Sequence, residues 1–205
     1  MGTYYNQDDR DQGKYMTIHG IKFGFVSYTY ATNQIVSDEN QAKVALFNRP
    51  SDRKMTQAYK DLLTKEVTQT RENCDVLIAM MHWGNEFTYD ISTQQEEVSQ
   101  LLSDLGVDII IGNHSHCSQP MEWINNNRTL CMYSLGNFVS ADPIVDRTHQ
   151  EFKNAYNVSM MVSLDIDRRN NQISIQNIDY ILLSITMMNI YKTLNLFLMI
   201  NIHLN

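Results

Sequence analysis

The chain has 205 residues, 43% hydrophobic and 19% charged, with a formal net charge of −7. This length and balance fit one globular domain with a real core. The acidic charge excludes nucleic acid as the main partner, because phosphate backbones are bound by basic faces.

The opening "MGTYYNQDDRDQGKY" is polar and has no apolar h-region, so this chain is expected to carry no signal peptide. Asn6 breaks the myristoylation pattern that Gly2 begins. Residues 21–30, "IKFGFVSYTY", are β-branched and aromatic and predict a strand. Residues 31–50 are polar and predict a loop. From 51 to about 72, Met55, Tyr59, Leu62 and Leu63 recur at helical spacing, with Ser51 or Asp52 as the expected cap. Residues 76–81 are an unbroken apolar run, the pattern of a strand covered on both faces.

Ser92 followed by Gln95 predicts a capping box. Val98, Leu101, Leu102 and Leu105 then form one apolar stripe, and Gly106 fits the C′ position. Residues 107–111 predict a second buried strand. "TLCMYSLGNF" predicts a further strand ending in a Gly-Asn turn. "YNVSMMVSLDIDRRNNQISIQNIDYIL" predicts a hairpin turning near residues 169–172. The alternation of strands and helices argues for βαβ units with parallel pairing, and the hairpin makes the sheet arrangement mixed. The last stretch, "ILLSITMMNIYKTLNLFLMINIHLN", is apolar without a clean period and is interrupted by Lys192 and several Asn. A final strand and a loosely packed tail are expected there, with a membrane-spanning helix as the less supported alternative. Cys74, Cys117 and Cys131 form no CxxC pair, and an odd count implies no disulfide framework.

The chemistry concentrates at strand ends. His82 ends the run 76–81, and His114 and His116 follow the run 107–111. In parallel α/β sheets, sites form beyond the carboxyl ends of the strands, so these histidines are placed to face one cavity. In an extended segment, the H-x-H spacing would turn both imidazoles to one side. Gly112 would permit a tight turn before them. Neutral imidazole suits zinc, iron, nickel and copper, and it also occurs with manganese. A polar loop that happens to hold two histidines is the alternative reading. Glu86 is a candidate general acid, or a group that orients the histidines, and a solvated loop carboxylate is its bland reading. Trp83, Asn113 and Asn137 are candidate pocket residues, Trp83 being equally readable as core and Asn137 as turn chemistry. His19, His149 and His203 have no companions. Asp142 and Asp146 read as solvated loop residues.

The stretches "MMHWGNEF", "LLSDLGVDIIIGNHSH" and "MYSLGNFV", in that order and spacing, resemble the bacterial capsule-synthesis or poly-γ-glutamate-synthesis family of CapA type, within the calcineurin-like metallophosphoesterase superfamily. "FGFVSYTYATN" resembles the strand and loop ahead of these motifs. The resemblance covers roughly residues 1–180, with 181–205 as an atypical apolar tail. It implies a layered α/β/β/α sandwich with mixed sheets. It also implies a two-metal site built from strand-end loops. His82 matches the family's strand-end ligand, and His114 and His116 match its closing G-x-H-x-H motif. The resemblance thus makes His82, His114 and His116 ligands of a divalent ion (Mn, Fe or Zn), with His82 and Glu86 as the catalytic candidates. Trp83 and Glu86 match the "HWGNE" motif.

The superfamily's early Asp, Gly-Asp and Asn-His motifs find no match here, and "MGTYYNQDDR" resembles a point already past them. The chain therefore resembles the C-terminal part of a member, incomplete at the N-terminus, as a truncated or frame-disrupted product would be. Without the bridging carboxylate the site is expected to be partial, with little phosphoesterase activity in this chain alone. The family implies capsule or poly-γ-glutamate synthesis machinery as partner, membrane association, and the outer face of the cell membrane as location. Without a leader in this chain, the cytoplasm is the alternative. A metal-dependent hydrolase and a non-catalytic component of a polymer synthesis or export assembly are the competing functional expectations.

Overall fold

The structure, a computed structural model, describes residues 2–32, 36–47, 55–138, 158–170 and 172–184. In chain order its elements are α1 (Gln7–Asp11), β1 (Lys14–Ile18), β2 (Ile21–Thr29), a 3-10 helix (Asp38–Lys43), α2 (Gln57–Arg71), β3 (Val76–His82), α3 (Thr93–Asp104), β4 (Ile109–Asn113), β5 (Met121–Ile124), β6 (Thr129–Met132), β7 (Val158–Arg169) and β8 (Gln172–Ser184). Among the described residues the strands form a six-stranded sheet of order β1-β2-β3-β4-β6-β5 and a two-stranded sheet β7-β8. β2, β3, β4 and β6 run parallel, and β1 and β5 add antiparallel edges. The fold is α/β with mixed pairing, as the strand–helix alternation predicts.

The unbroken apolar runs are explained by cover on both faces. Leu77, Ala79 and Met81 of β3 and Ile110 of β4 face α2 and α3, where they pack with Leu63, Val67, Val98 and Leu102. Val76 and Ile78 of β3 and Ile109 of β4 face the other way. There they join Ile21, Phe23 and Met132 and pack with Ile166, Val162, Leu164, Ile173 and Ile175 of the β7–β8 hairpin. Each such fully buried aliphatic side chain contributes roughly 1.5–3 kcal/mol. Helices, six-stranded sheet and hairpin make three successive layers of the expected sandwich. An ion pair ties the hairpin to the sheet: Arg168 Nη2 meets Asp75 Oδ1 at 2.6 Å, and Arg168 Nη1 donates to the Gly20 carbonyl at 3.0 Å.

Several boundaries differ from expectation. α2 begins at Gln57 with Thr56 as its cap, because the Thr56 hydroxyl oxygen accepts from the Tyr59 amide at 3.5 Å; Met55 precedes the helix. Ser51 and Asp52, the expected caps, lie outside the described residues. The capping box is present, with Ser92 and Gln95 bonding reciprocally, and Gly106 has φ +92° just past the Leu105 cap. The second buried strand runs over Ile109–Asn113 rather than 107–111. The segment expected to be loop contains the 3-10 helix. It also flanks β2: Thr29 N–H donates to Ala45 O at 2.9 Å and Phe47 N–H to Thr29 O at 3.1 Å. β5 has no counterpart among the expected strands. It reaches β6 through Asn125, Asn126 and Asn127, all at positive φ, a conformation Asn tolerates. β8 extends through Ser184, two residues past the stretch that predicts the hairpin. Asp142, Asp146, His149, His203 and the stretch 185–205, with the spanning-helix alternative, lie outside the described residues. Among the described residues no helix is long and apolar enough to cross a membrane.

Candidate functional site

The parallel strands β2, β3, β4 and β6 all end on the same side of the sheet, and His82, Glu86, Asn113, His114, His116 and Asn137 all lie at or just beyond these ends. The register sets Thr29 of β2 opposite His82 of β3, and His82 opposite Asn113 of β4. These three therefore form a row across the strands, in the same alternation as Val76, Ile78 and Met80. Just beyond the row come Tyr30, Glu86 and Phe87, then His114 and His116. Asn137 follows β6.

The H-x-H pair does not work through strand alternation. β4 stops at Asn113, and His114 and His116 have φ +112° and +59°. The expectation of an extended segment is thus corrected. A turn of left-handed backbone directs the rings, at a cost of order 1–3 kcal/mol for each strained residue. The turn is fixed by its neighbours. Trp83 N–H donates to Asn113 O at 3.1 Å, Phe87 N–H to Ser115 O at 2.8 Å, and Ser115 Oγ to Cys117 O at 2.8 Å. The Asn113 side chain accepts from the His114 amide at 2.9 Å. In this way the β3 loop and the β4 loop are bonded to one another before any ligand is considered.

The rings gather. His82 and His114 lie 4.4 Å apart, centroid to centroid, at 61°, and His114 and His116 lie 6.2 Å apart. Tyr30 packs against both His82, at 5.7 Å, and His114, at 4.6 Å. Phe87 stacks on His116 at 5.3 Å. His82 Nδ1 is 2.8 Å from Thr29 Oγ1. His116 Nδ1 is 2.9 Å from Asn137 Oδ1, whose amide nitrogen donates to the His116 carbonyl. Glu86 Oε1 stands 3.7 Å from His116 Nε2. The structure thus brings His82, His114, His116, Glu86, Asn113 and Asn137 together. Trp83, which the sequence leaves as pocket wall or core, is fully buried in the core toward α3.

Gly112 is also corrected. It sits inside β4 and makes no turn; a Cβ there would collide with the Tyr133 carbonyl and the Trp83 indole. The indole N–H donates to that carbonyl at 2.9 Å across the bare glycine. This close approach supports the strand end on which the histidines stand.

Burial lowers the pKa of His82, His116 lowers it further, and Glu86 opposes both. Burial, reinforced by His82, lowers His114 from 6.5 to about 4. Both rings are therefore neutral near pH 7, each with one nitrogen lone pair able to accept a proton or bind a cation.

Imidazole nitrogens with one carboxylate are a donor set suited to Mn, Fe or Zn. The donor chemistry fits such an ion. The spacing is not that of a closed centre: among the described residues no three His, Cys, Asp or Glu side chains stand close enough to hold one ion. Thr29, Tyr30 and Phe87 escaped sequence reasoning. The signal was present for Thr29 and Tyr30, which end the strand 21–30 just as His82 ends the next.

Residues 1–142 match the family model described as bacterial capsule synthesis protein PGA_cap. The chain is 26% identical over 136 residues to the PGA biosynthesis protein CapA of Bacillus subtilis (strain 168), covering 66% of this chain and 33% of that protein. It is 28% identical over 131 residues to the capsule biosynthesis protein CapA of Bacillus anthracis, covering 61% and 28%. The chain thus spans about a third of the length of these relatives. Among solved structures, a hypothetical protein from Thermus thermophilus aligns with TM-score 0.45 at 11% identity, over 84% of this chain and 61% of that one.

Proposed function

The chain belongs to the family of bacterial capsule synthesis proteins, and on that premise we propose that it acts in building a poly-γ-glutamate-type capsule, with the His82, His114 and His116 cluster as its reactive centre. One observation carries this reading. The matched region, residues 1–142, contains the whole cluster, from Thr29 to Asn137, at the converging ends of four parallel strands. Work at the outer face of the cell membrane, beside synthesis or export machinery, belongs to the same proposal.

In this reading His82, His114 and His116 would supply donors to a divalent ion, with Glu86 beside His116, and the rings would have to draw closer together than they stand here to close on it. Such an ion, when bound, supplies Lewis-acid activation of water or of an anionic oxygen. The chain's own residues set the stage. Burial keeps His82 and His114 neutral and so competent as donors. Asn137 orients His116, Tyr30 and Phe87 wall the rings, and Glu86 offers a carboxylate oxygen at the open side.

The test is the metal content of the purified chain, compared with a His114→Ala/His116→Ala double variant of verified fold. Metal retained by the parent and lost by the variant supports the assignment. Equal content in both sinks it, and leaves a non-catalytic component of the capsule assembly as the better reading.

A further inference from the structure

We infer that Thr29 is the positioning residue of the histidine centre: its hydroxyl holds His82 as the Nδ1–H tautomer and leaves Nε2 as the lone-pair nitrogen. A threonine hydroxyl has one hydrogen to give. Thr29 Oγ1 lies 2.7 Å from the Ala31 carbonyl, which can only accept, so the hydrogen goes there. Toward His82 Nδ1, at 2.8 Å, the same oxygen can then only accept. The proton of the bond must come from Nδ1. In a neutral imidazole this fixes Nε2 as the unprotonated nitrogen.

The geometry leaves Thr29 little freedom to do otherwise. Its β-branched side chain is stiff at χ1. Its backbone is held on one side by the β2–β3 register, directly opposite His82, and on the other by hydrogen bonds with Ala45 and Phe47. The segment 44–47 therefore has a purpose the sequence does not announce, which is to clamp the residue that orients His82. The His82 ring is kept in plane by Tyr30, stacked at 26°, and by the edge of His114. Asn137 treats His116 in the same manner: its amide nitrogen is turned to the His116 carbonyl, so Oδ1 faces Nδ1 and accepts from it. Where an imidazole donates one N–H to such a partner, the other nitrogen is directed at the ligand, and removing the partner typically weakens metal binding by about 10–100-fold. That last consequence rests on the metal reading proposed above; the tautomer assignment does not.

The imidazole ¹⁵N and ¹³C shifts of His82, measured on the metal-free chain at about pH 8 where imidazole is neutral, decide the tautomer directly. The parent chain should show Nδ1–H. Thr29→Val, which keeps the shape and removes the hydroxyl, should shift the population toward Nε2–H, and Thr29→Ser should restore Nδ1–H. A purely packing role for Thr29 would leave the tautomer unmoved. Nε2–H in the parent, or unchanged Nδ1–H in Thr29→Val, overturns the inference. Should Thr29→Val fail to fold, Thr29→Ala takes its place: a shift toward Nε2–H upholds the inference, and unchanged Nδ1–H overturns it. A zinc titration separates the two proposals: zinc affinity should fall about tenfold or more in Thr29→Val and recover in Thr29→Ser. No zinc binding by a parent chain that shows Nδ1–H defeats the metal reading and leaves Thr29's role standing.

Discussion

The ring of His82 meets the ring of His114 edge to face, with centroids 4.4 Å apart. The two residues come from neighbouring parallel strands, and the register that pairs His82 with Asn113 places His114 one residue beyond the contact. Two imidazoles so close, one of them 8% exposed, share a site that disfavours charge. From this contact follow consequences for stability, backbone strain and binding.

Acid should unfold the chain partly through His114. Its pKa is lowered from 6.5 to about 4 in the folded state, chiefly by burial and next by His82. Between those values the unfolded chain binds a proton that the folded chain refuses, so stability falls as the pH drops through that window. Urea denaturation of the parent should lose midpoint between about pH 6.5 and 4 more steeply than His114→Gln does. Parallel pH profiles would contradict the assignment.

Backbone strain at His114 should show in a comparison of two small residues. Both His114→Gly and His114→Ala remove the ring, but only glycine accepts φ +112° without strain. The glycine variant should be the more stable by about 1 kcal/mol or more, on the scale of such outliers. An alanine variant of equal or greater stability would mean that the loop relaxes without cost.

Gly112→Ala should be among the most damaging single methyl additions in the chain. The new Cβ would meet the Tyr133 carbonyl and the Trp83 indole, which are held to each other by a hydrogen bond. A loss of about 1–3 kcal/mol or more is expected in chemical denaturation. A change within about 0.5 kcal/mol, the ordinary surface range, would show that β4 and β6 can separate freely.

Gln95 carries two duties from a fully buried position. It closes the capping box of α3, and its amide donates to Gln119 Oε1 at 2.7 Å. Gln95→Ala should lower stability by about 1–3 kcal/mol, since it strands buried partners. The helical circular dichroism signal at low temperature should survive, because Val98 and Leu102 still anchor the helix. A fully unfolded Gln95→Ala at low temperature would refute that division of labour.

The sequence shows the layered fold through its apolar runs. A strand covered on both faces has no polar position to spare, and residues 76–81 have none. The parallel pairing then makes His82 and the His114–His116 pair converge, which strand order alone predicts. What stays hidden depends on register. Thr29 matters because it stands opposite His82, a relation between strands that no local pattern encodes. Gly112 is misread for the same reason: its need arises from Trp83 and Tyr133, which approach from other strands. β5 hides because Met121–Ile124 is short, and because its turn is built from three asparagines instead of an Asn-Gly pair.

His82, His114 and His116 are proposed to donate to one cation. Substoichiometric Mn²⁺ added to the isotope-labelled chain tests it most directly, because the paramagnetic ion broadens the resonances nearest to it. The imidazole signals of His82, His114 and His116 should broaden together, well ahead of His19 in the β1–β2 turn. Equal broadening at His19, or three undisturbed imidazoles, would contradict it.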